Sequence, residues 1–566
     1  MKNLSISILL ISMLTIANAA VTSVDLTEVT TPVMINREFN PLIGLNIISD
    51  DSDELSAVLI TLEGTKAEDI AEISIYRSLI DEKKQTAYLG NDDPTEKLGT
   101  ATSDKFRKGK AIIKCEGSLK AGDNHLWLSV KPTKEASLSR FIELKVVAIK
   151  TASDKKKVDA IAKQRIGIAI TYPRFETDIL KPETDKVLQT RTSKFSRIPG
   201  LTRTRRGTLV AVFDNRYGHN GDLPADIDVG VRTSTDGGQT WSRHTTCIAA
   251  RDIPDIGRGV GDPAILIDKK TNRIWVAALA APKSGHPIWA SAAGTTDPSK
   301  CGQFILAYSD DEGKTWSKPI NITKEVKRPD DSDTKLWGLV FNGPGNGITM
   351  RDGTLVFPAQ VWADGGKGTQ VGDKGAVLVY SKDRGETWTS SKLMKYGASE
   401  STVAELSDGS LMISTREVER EKGLGSSWTE YAGRGVAVTK DLGETWKRHD
   451  SMDTKEGFLI SRRCQATLIN IFNRSRKGKS VYNLGIDAKH LLLFSNPLGN
   501  RSEMAIRYST DDGNSWNKGL MYDQRKCMGY TAIYPTDRNN LGVFYEGQGG
   551  YLYFVRLPFT EIVAAE

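Results

Sequence analysis

Six stretches of the sequence carry arginine, acidic or tyrosine side chains in patterns that each occur once in the chain. They are SRIPGL at 196–201, NRYGHNGDLPAD at 215–226, GVGDPAILID at 259–268, ESTVAELSDGSLMISTRE at 400–417, LLLFSNPLGNRSEMAIR at 491–507 and MGYTAIYPTDRNNLGVFYEG at 528–547. A guanidinium group pairs with both oxygens of a carboxylate and keeps its charge, while carboxylates and phenols can transfer protons or act as nucleophiles. A single arginine among the 77 Lys and Arg residues is most simply a solvated surface group, so only the combination indicates a site.

Five copies of the pattern Ser/Thr-x-Asp-x-Gly-x-Ser/Thr-Trp lie between these stretches. They begin at residues 234, 309, 381, 439 and 509, each after an apolar run such as QFILAYS or AVLVYS. Asp can accept backbone N–H bonds across a turn, Gly can take a positive φ and Trp can pack back over the loop, so each copy predicts a hairpin. The spacings of 58 to 75 residues fit four-stranded units that stack into a β-propeller. The remaining length predicts six blades, one of which lacks the pattern.

The segment before these repeats has a different pattern. Short runs such as SAVLITLEG, AEISIYRS, NHLWLSVKP and FIELKVVAI alternate apolar and polar residues with the period of half-buried strands. The sequence therefore predicts an all-β protein with a small β-sandwich at 20–185 and a six-bladed β-propeller at 186–566. Residues 1–19 form a predicted signal peptide, with one lysine, an apolar run too short to span a bilayer and an Ala-Asn-Ala cleavage site. We expect a secreted or periplasmic protein without a membrane span after cleavage.

Composition excludes several other classes of function. The net charge of +7 is spread along the chain without an aromatic-basic motif, so nucleic acid is not an expected partner. The acidic pieces SDDSDE and RPDDSD lack the ligand spacing of a calcium loop. The five cysteines have no CxxC pairing and predict small buried residues, with one or two disulfides possible and no zinc site; they are Cys115, Cys247, Cys301, Cys464 and Cys527.

Taken together, the six stretches closely resemble the exo-α-sialidase (neuraminidase) family, above all secreted bacterial members with a β-sandwich before a six-bladed propeller. The likeness covers residues 190–560. The Asp-containing repeats alone occur in unrelated propellers, whereas the Arg-Ile-Pro motif followed by the other stretches in this order is specific. The resemblance implies an enzyme that hydrolyses terminal sialic acids from glycoproteins, glycolipids or oligosaccharides without a metal or cofactor, and a carbohydrate-binding role for the β-sandwich. We expect a monomer.

The resemblance also assigns the central residues. Arg197, Arg416 and Arg501 match the three arginines that bind the substrate carboxylate. Tyr530 matches the nucleophile and Glu400 the base that takes its proton. Sialic acid carries a carboxylate on its anomeric carbon, so a neutral phenol avoids the repulsion that a carboxylate nucleophile would meet there.

The general acid/base is assigned to a loop in the same way. Asp222 matches it, just after Arg216, which the family places at the rim of the pocket. Asp214, Asp226 and Asp228 are alternatives. A loop position suits a group that must reach the leaving sugar, and two of the alternatives belong to strand patterns.

Further residues have a weaker match. Glu546 matches an acidic residue that braces the first arginine of the triad, and Asp262 one that contacts the substrate near its N-acyl group. Gln360 is a further candidate for the pocket lining. Glu405 competes with Glu400, but the odd offset of five puts the two on opposite faces of a strand, so we interpret Glu405 as structural.

One departure and three alternatives remain. Ser196 stands where the family has an aromatic or large apolar residue, and Phe195 lies one position earlier. A lectin-like propeller would need the arginines but not Tyr530, Glu400 and Asp222 together. Transfer of sialic acid to another sugar, or release of an anhydro product, would depend on aromatic residues around the acceptor. A purely structural propeller is disfavoured by the arginines that do not repeat.

Overall fold

The structure is a computed structural model that describes most of the chain. The described residues are 21–28, 33–35, 38–77, 96–138, 140–153, 155–157, 164–171, 193, 195–283, 287–328, 334–363, 374–418, 433–454, 459–460, 463–474, 477–547 and 552–565. The predicted signal peptide and the predicted domain boundary near residue 185 lie outside them. Within these ranges the α-helices are Thr323–Lys327 and Phe559–Ala564, and no described helix has the length and apolar character needed to cross a membrane.

The N-terminal region forms one continuous antiparallel ladder of strands. In ladder order these are Val21–Glu28, Pro41–Ser49, Gly122–Pro132, Ile70–Arg77, Glu96–Thr102, Lys110–Leu119, Asp53–Leu62 and Phe141–Thr151. Strand Lys110–Leu119 alternates exposed and buried residues, as period-2 patterning requires. Both halves of the ladder bury side chains in one core, among them Ile43, Ile47 and Val58. The predicted N-terminal β domain is confirmed.

In the described part of the chain, the second region and strand Gln164–Thr171 together form six four-stranded blades. Blade 1 contains Phe195–Arg203, Leu209–Arg216, Ile227–Ser234 and Thr245–Ile248. Blade 2 contains Ile256–Ile267, Ile274–Pro282, Gln303–Ser309 and Ile320–Asn321. Blade 3 contains Trp337–Asn342, Leu355–Ala363, Lys374–Ser381 and Thr389–Ser390. Between its first two strands in the sequence, Ile348–Thr349 pairs with Leu355–Ala363, whereas Gly345–Asn346 pairs in parallel with Ile256–Ile267 of blade 2. Blade 4 contains Gly397–Glu405, Leu411–Val418, Gly435–Thr439 and Lys447–Arg448. Blade 5 contains Thr467–Phe472, His490–Pro497, Met504–Ser509 and Leu520–Asp523.

Blade 6 takes its strands from distant parts of the chain. Thr531–Pro535, Asn540–Glu546 and Leu552–Pro558 supply three of them. Strand Gln164–Thr171 is the fourth, because Ile170 and Thr171 pair with Phe554 and Tyr553. The first half of the same strand pairs with Phe141–Thr151 of the N-terminal ladder. The six-bladed prediction is confirmed, and the missing sixth repeat is explained, because this blade has no hairpin between its third and fourth strands.

The strand order gives the propeller two distinct ends. The first strand of each blade packs around the central axis, and apolar clusters fill the spaces between neighbouring blades. The first strands all start at one end, which we call the top face; the second strands finish there, and the loops to the third strands lie there too. The turns between third and fourth strands lie at the opposite end, the bottom face.

The five Asp-containing repeats are these bottom-face turns. In the first, Asp236 accepts hydrogen bonds from Ser234 Oγ at 2.8 Å and from the Thr240 backbone N–H at 2.9 Å. Gly238 has a φ of +91°, which favours glycine. The indole of Trp241 donates to the Gly238 carbonyl at 3.0 Å. The predicted hairpin geometry is therefore present, and it lies at the end of the propeller away from the non-repeating residues.

The cysteines differ in part from the sequence expectation. All five are buried, and none forms a disulfide. Burial raises the pKa of the thiols of Cys115 and Cys464 to about 12, so both stay neutral. Cys464 packs with Ile198 and Tyr530 at the top of the central channel.

Candidate active site

The predicted site residues come together at the top face because of where they lie in their blades. Tyr530 immediately precedes the first strand of blade 6, and Arg197 and Glu400 lie near the starts of the first strands of blades 1 and 4. The ends of second strands supply Arg216, Arg416 and Glu546, and loops from second to third strands supply Asp222 and Arg501. Positions that are far apart in sequence therefore meet around one channel mouth.

A tyrosine and a glutamate form the centre of this site. Tyr530 is 5% exposed, and its hydroxyl donates a hydrogen bond to Glu400 Oε1. Arg416 Nη1 donates to Glu400 Oε2 at 3.1 Å and to the Tyr530 hydroxyl oxygen at 3.2 Å. Burial and the nearby Glu400 carboxylate raise the pKa of Tyr530 well above its ordinary range. The phenol is therefore neutral at physiological pH, and a carboxylate lies in position to accept its proton.

Arg197 is fixed by a second carboxylate. Its Nε donates to Glu546 Oε1 at 2.9 Å and its Nη2 to Glu546 Oε2 at 3.2 Å. Glu546 is 1% exposed and also accepts the backbone N–H groups of Ile198 and Tyr530, at 2.9 and 3.2 Å. Burial opposes the charge of Arg197, but Glu546 outweighs it and raises the pKa of the guanidinium. Glu546 thus ties the first arginine to the backbone that carries the tyrosine.

Three guanidinium groups surround the Tyr530 side chain. The Cζ atoms of Arg197 and Arg501 lie 5.2 and 5.8 Å from the centre of its ring, and Arg416 contacts its hydroxyl. Arg501 is oriented by two backbone carbonyls, those of Met528 at 2.5 Å and Arg463 at 3.1 Å. Arginines from blades 1, 4 and 5 therefore converge on one phenol, and such a cluster favours an anion above it.

The loop of Asp222 is attached to this cluster through Arg216. The Asp222 side chain is 70% exposed, and its Oδ1 accepts from Arg216 Nη1 at 2.8 Å and lies 3.5 Å from Arg197 Nη1. Arg216 itself is only 1% exposed, because Asp214 and the Asn220 carbonyl occupy its other donors. Arg216 therefore lies buried beneath the loop that it holds, and its place at the rim of the pocket stays a prediction.

Two protein-family models match this chain. Residues 198–521 match the BNR repeat-like domain, and residues 21–155 match the N-terminal domain of BNR-repeat neuraminidase. A sialidase from Bacteroides fragilis (strain YCH46) is 32% identical over 564 residues, which cover 95% of this chain and 94% of that protein. The chain belongs to the BNR-repeat neuraminidase family.

Two further relatives extend the comparison. A Clostridium perfringens sialidase is 29% identical over 384 residues, which cover 66% of this chain and 91% of that protein. The solved structure of Hadza microbial sialidase Hz136 superposes with a TM-score of 0.76 at 28% identity and covers 95% of this chain and 99% of its own. The predicted enzyme class, exo-α-sialidase, is confirmed.

The remaining carboxylates near the site have separate partners in the enzyme. Glu405 is 7% exposed and accepts from the backbone N–H and Nε of Arg351, at 2.8 and 2.9 Å. It also lines a cavity of about 210 Å³ at the bottom end of the channel, away from Glu400. Asp228 accepts from the Tyr217 hydroxyl at 3.0 Å and the Ala250 N–H at 2.8 Å. These partners differ from the tyrosine and the three arginines of the site.

Asp262 and Gln360 lie in blades 2 and 3. Burial, followed by the carboxylates of Asp214 and Asp222, raises the pKa of Asp262 well above its ordinary range. Gln360 is 1% exposed, and its Oε1 accepts from the Trp362 indole at 3.1 Å. Among the described hydrogen bonds, none joins Gln360 to Tyr530, so its place in the pocket lining stays a prediction. Ser196 is fully buried.

Two charged residues near the site have surroundings that the sequence does not predict. Asp214 is expected only as an alternative to Asp222 and is disfavoured by its strand position, although its spacing of two from Arg216 puts both side chains on one face. Arg434 is 3% exposed and donates from Nε to Ser414 Oγ and from Nη1 to the Cys464 carbonyl, both at 2.9 Å. Burial lowers the pKa of Arg434 to about 9. No local pattern marks Arg434, whose partners come from other strands.

Proposed function

We propose that this enzyme hydrolyses terminal sialic acids of glycoproteins, glycolipids or oligosaccharides with retention of configuration at the anomeric carbon. The observation that carries the proposal is the hydrogen bond from the Tyr530 hydroxyl to Glu400, beneath guanidinium groups from three blades. Sialic acid bears a carboxylate on its anomeric carbon. Fixed cations suit that anion, and a neutral nucleophile below it avoids charge repulsion in a buried site.

In the first half of the reaction, the substrate carboxylate is bound by Arg197, Arg416 and Arg501. The Tyr530 oxygen forms a bond to the anomeric carbon while Glu400 takes the phenolic proton. The bond to the leaving sugar breaks as Asp222, in its acid form, gives a proton to the leaving oxygen. The product of this half is a covalent sialyl-tyrosine.

In the second half, water replaces the leaving sugar. Asp222 takes one proton from the water as the water oxygen attacks the anomeric carbon. The bond to Tyr530 breaks, and Glu400 returns the proton to the phenolate oxygen. Two inversions give net retention, and one water molecule is consumed in each cycle.

The location proposed for this reaction follows from the N-terminal sequence. A signal peptide at residues 1–19 would export the enzyme to the periplasm or the medium, where it would act as a monomer on exposed glycans. Its processing is checked by N-terminal sequencing of the secreted chain.

Replacing Tyr530 by Phe tests the nucleophile. We expect the wild type to cleave an aryl sialoside and Y530F to lose at least about 100-fold in kcat, the lower end of what a group in proton transfer contributes. Tyr545→Phe is a matched control, because Tyr545 is also buried and its hydroxyl donates to a carboxylate, Asp523 Oδ2, at 2.8 Å. We expect Y545F to keep its activity within about threefold, since a change away from the reacting atoms acts mainly on stability.

The stereochemistry and the adduct are measured separately. Proton NMR of the first product should show the α anomer, and intact-mass measurement with 2,3-difluorosialic acid should show an adduct that Y530F does not form. A β product, or an adduct of equal amount on Y530F, would contradict the retaining mechanism. A wild type that binds a sialoside without cleaving it would instead indicate a glycan-binding propeller.

A further inference from the structure

One buried carboxylate joins two of the predicted substrate-contacting residues. Asp214 is 1% exposed in the second strand of blade 1. Its Oδ2 accepts from Arg216 Nη2 at 2.9 Å and Nε at 3.2 Å. Its Oδ1 accepts the backbone N–H of Asp262, in blade 2, at 2.9 Å. The two oxygens therefore accept hydrogen bonds from two different blades.

The blade 2 side of this contact has an unusual backbone. Asp262 has a φ of +55°, in the left-handed region that few non-glycine residues adopt. The residue before it is Gly261, where a Cβ would lie 2.9 Å from Asp214 Oδ1. The chain thus approaches Asp214 closely enough for the hydrogen bond only because position 261 has no side chain.

The blade 1 side leads to the acid/base loop. Arg216, held by Asp214 through two donors, uses Nη1 for the Asn220 carbonyl at 2.7 Å and for Asp222 Oδ1 at 2.8 Å. The Asp222 side chain is largely exposed, and this hydrogen bond with Arg216 fixes its position. A rotation of the guanidinium would therefore release the loop that carries the acid/base.

We propose that Asp214 is a positioning residue, which holds Arg216, and through it Asp222, together with Asp262 in the geometry that catalysis requires. This role rests on the sialidase function proposed above. Asp214 does not touch the substrate; it acts through its two partners.

The charges around Asp214 agree with this role. They are two guanidinium groups and two carboxylates, those of Arg197, Arg216, Asp222 and Asp262. Burial raises the pKa of Asp214 to about 6, against the opposing effect of Arg216. Both oxygens of Asp214 accept hydrogen bonds from N–H donors, as an ionised carboxylate does, and one of those donors is the guanidinium that it orients.

Asp214→Asn tests the proposal, because an amide has one acceptor oxygen and can serve only one of the two partners. Asp228→Asn is the matched control: Asp228 is 3% exposed in the adjacent strand, and each of its oxygens also accepts one partner, the Tyr217 hydroxyl and the Ala250 N–H. The full chain is assayed for kcat and KM on an aryl sialoside, whose leaving group needs little protonation, and on sialyllactose, whose leaving group needs it fully. Thermal unfolding and the affinity for 2-deoxy-2,3-didehydro-N-acetylneuraminic acid are measured for the same proteins.

We expect D214N to lose about 100-fold in kcat/KM on sialyllactose, the size of a small misplacement of catalytic groups, and about 10-fold on the aryl sialoside. Its affinity for the inhibitor should fall about 10-fold, while D228N stays within about threefold of the wild type in all three measurements at a comparable unfolding temperature. The role of Asp214 would be overturned if D214N and D228N lost kcat/KM equally. It would also be overturned if D214N lost kcat/KM equally on the two substrates.

Failure of the proposed function gives a different result, namely a wild type that turns over neither substrate. In that case the inhibitor affinities still decide, since equal affinity of D214N and D228N would overturn the positioning role. If D214N does not fold, Gly261→Ala supplies the test with the carboxylate retained, because its Cβ would press on Asp214 Oδ1. The proposal would also be contradicted by a folded G261A that keeps the wild-type ratio of kcat/KM between sialyllactose and the aryl sialoside.

Discussion

Replacing Glu546 by Gln removes the charge that holds Arg197 and leaves the shape of the side chain almost unchanged. Glu546 is 1% exposed, and its two oxygens accept four donors: two from Arg197 and the N–H groups of Ile198 and Tyr530. An amide offers one oxygen and one NH₂ group. Whichever way it turns, two of the four donors face another donor, one of them on the guanidinium.

The size of the effect follows from these contacts. A hydrogen bond to a charged group contributes about 1.5–3 kcal/mol, which at about 1.4 kcal/mol per factor of ten corresponds to a kcat/KM roughly 10- to 150-fold lower. Breaking a buried ion pair also destabilises the fold, by about 3 kcal/mol when one acceptor remains. We therefore expect E546Q to lose both activity and unfolding temperature.

The assay compares kcat/KM on an aryl sialoside with thermal unfolding for the wild type, E546Q and a control, E405Q. Glu405 is a buried glutamate on another first strand and accepts two donors of Arg351, but it lies at the bottom end of the channel. We expect E405Q to keep kcat/KM within about threefold, although it loses some stability. Wild-type kcat/KM in E546Q, or an equal loss in E405Q, would refute the role assigned to Glu546.

Two predictions concern stability away from the site. Asp383→Ala removes the acceptor for Ser381 Oγ at 2.7 Å and for the Thr387 N–H at 2.9 Å in a bottom-face turn. We expect the free energy of unfolding, measured by chemical denaturation, to fall by about 1–2 kcal/mol while kcat/KM stays unchanged. A large loss of activity would contradict this prediction. Burial lowers the pKa of His244 to about 3, below its unfolded value, so the stability that the neutral ring provides is present above about pH 6.5 and is lost as the pH falls toward 3. His244→Phe keeps the contact with Phe213. Between about pH 7 and pH 4.5, the free energy of unfolding of H244F should fall by about 2–3 kcal/mol less than that of the wild type. An equal fall in both proteins would show that this ring is not responsible.

The local pattern of the chain predicted much of the propeller, because a hairpin is specified by residues close in sequence. Five turns of the Asp236 type are visible as repeats; their spacing predicts four-stranded units, and the remaining length predicts six blades. The closing strand of blade 6 was not predictable in this way: Gln164–Thr171 pairs with Leu552–Pro558, at the far end of the chain. Period-2 patterning predicts a strand but does not identify a partner so far away in the sequence.

The candidate site shows a similar division. Family resemblance brought Arg197 and Tyr530 to one place, and the structure has them in contact. It did not give the surroundings of Arg216, since a motif identifies a side chain but not whether its neighbours leave it accessible. The resemblance also does not predict that strand pairing in blade 1 is interrupted after Arg197. There Ile198 has a φ of +63°, and its N–H donates to Glu546 instead of to the neighbouring strand. That contact depends on a residue from the other end of the chain.

The shared strand of blade 6 has a consequence for how the enzyme is made. Translation delivers Gln164–Thr171 long before its partner Leu552–Pro558, so this pair cannot form until the second strand has been made, and contacts over such a distance form slowly. A fragment beginning at residue 186 would lack this strand and leave a bare sheet edge available to other chains. The N-terminal region therefore supplies the fourth strand of blade 6, and removing it would leave that blade with three strands, although blades 1 and 6 would still pack against each other.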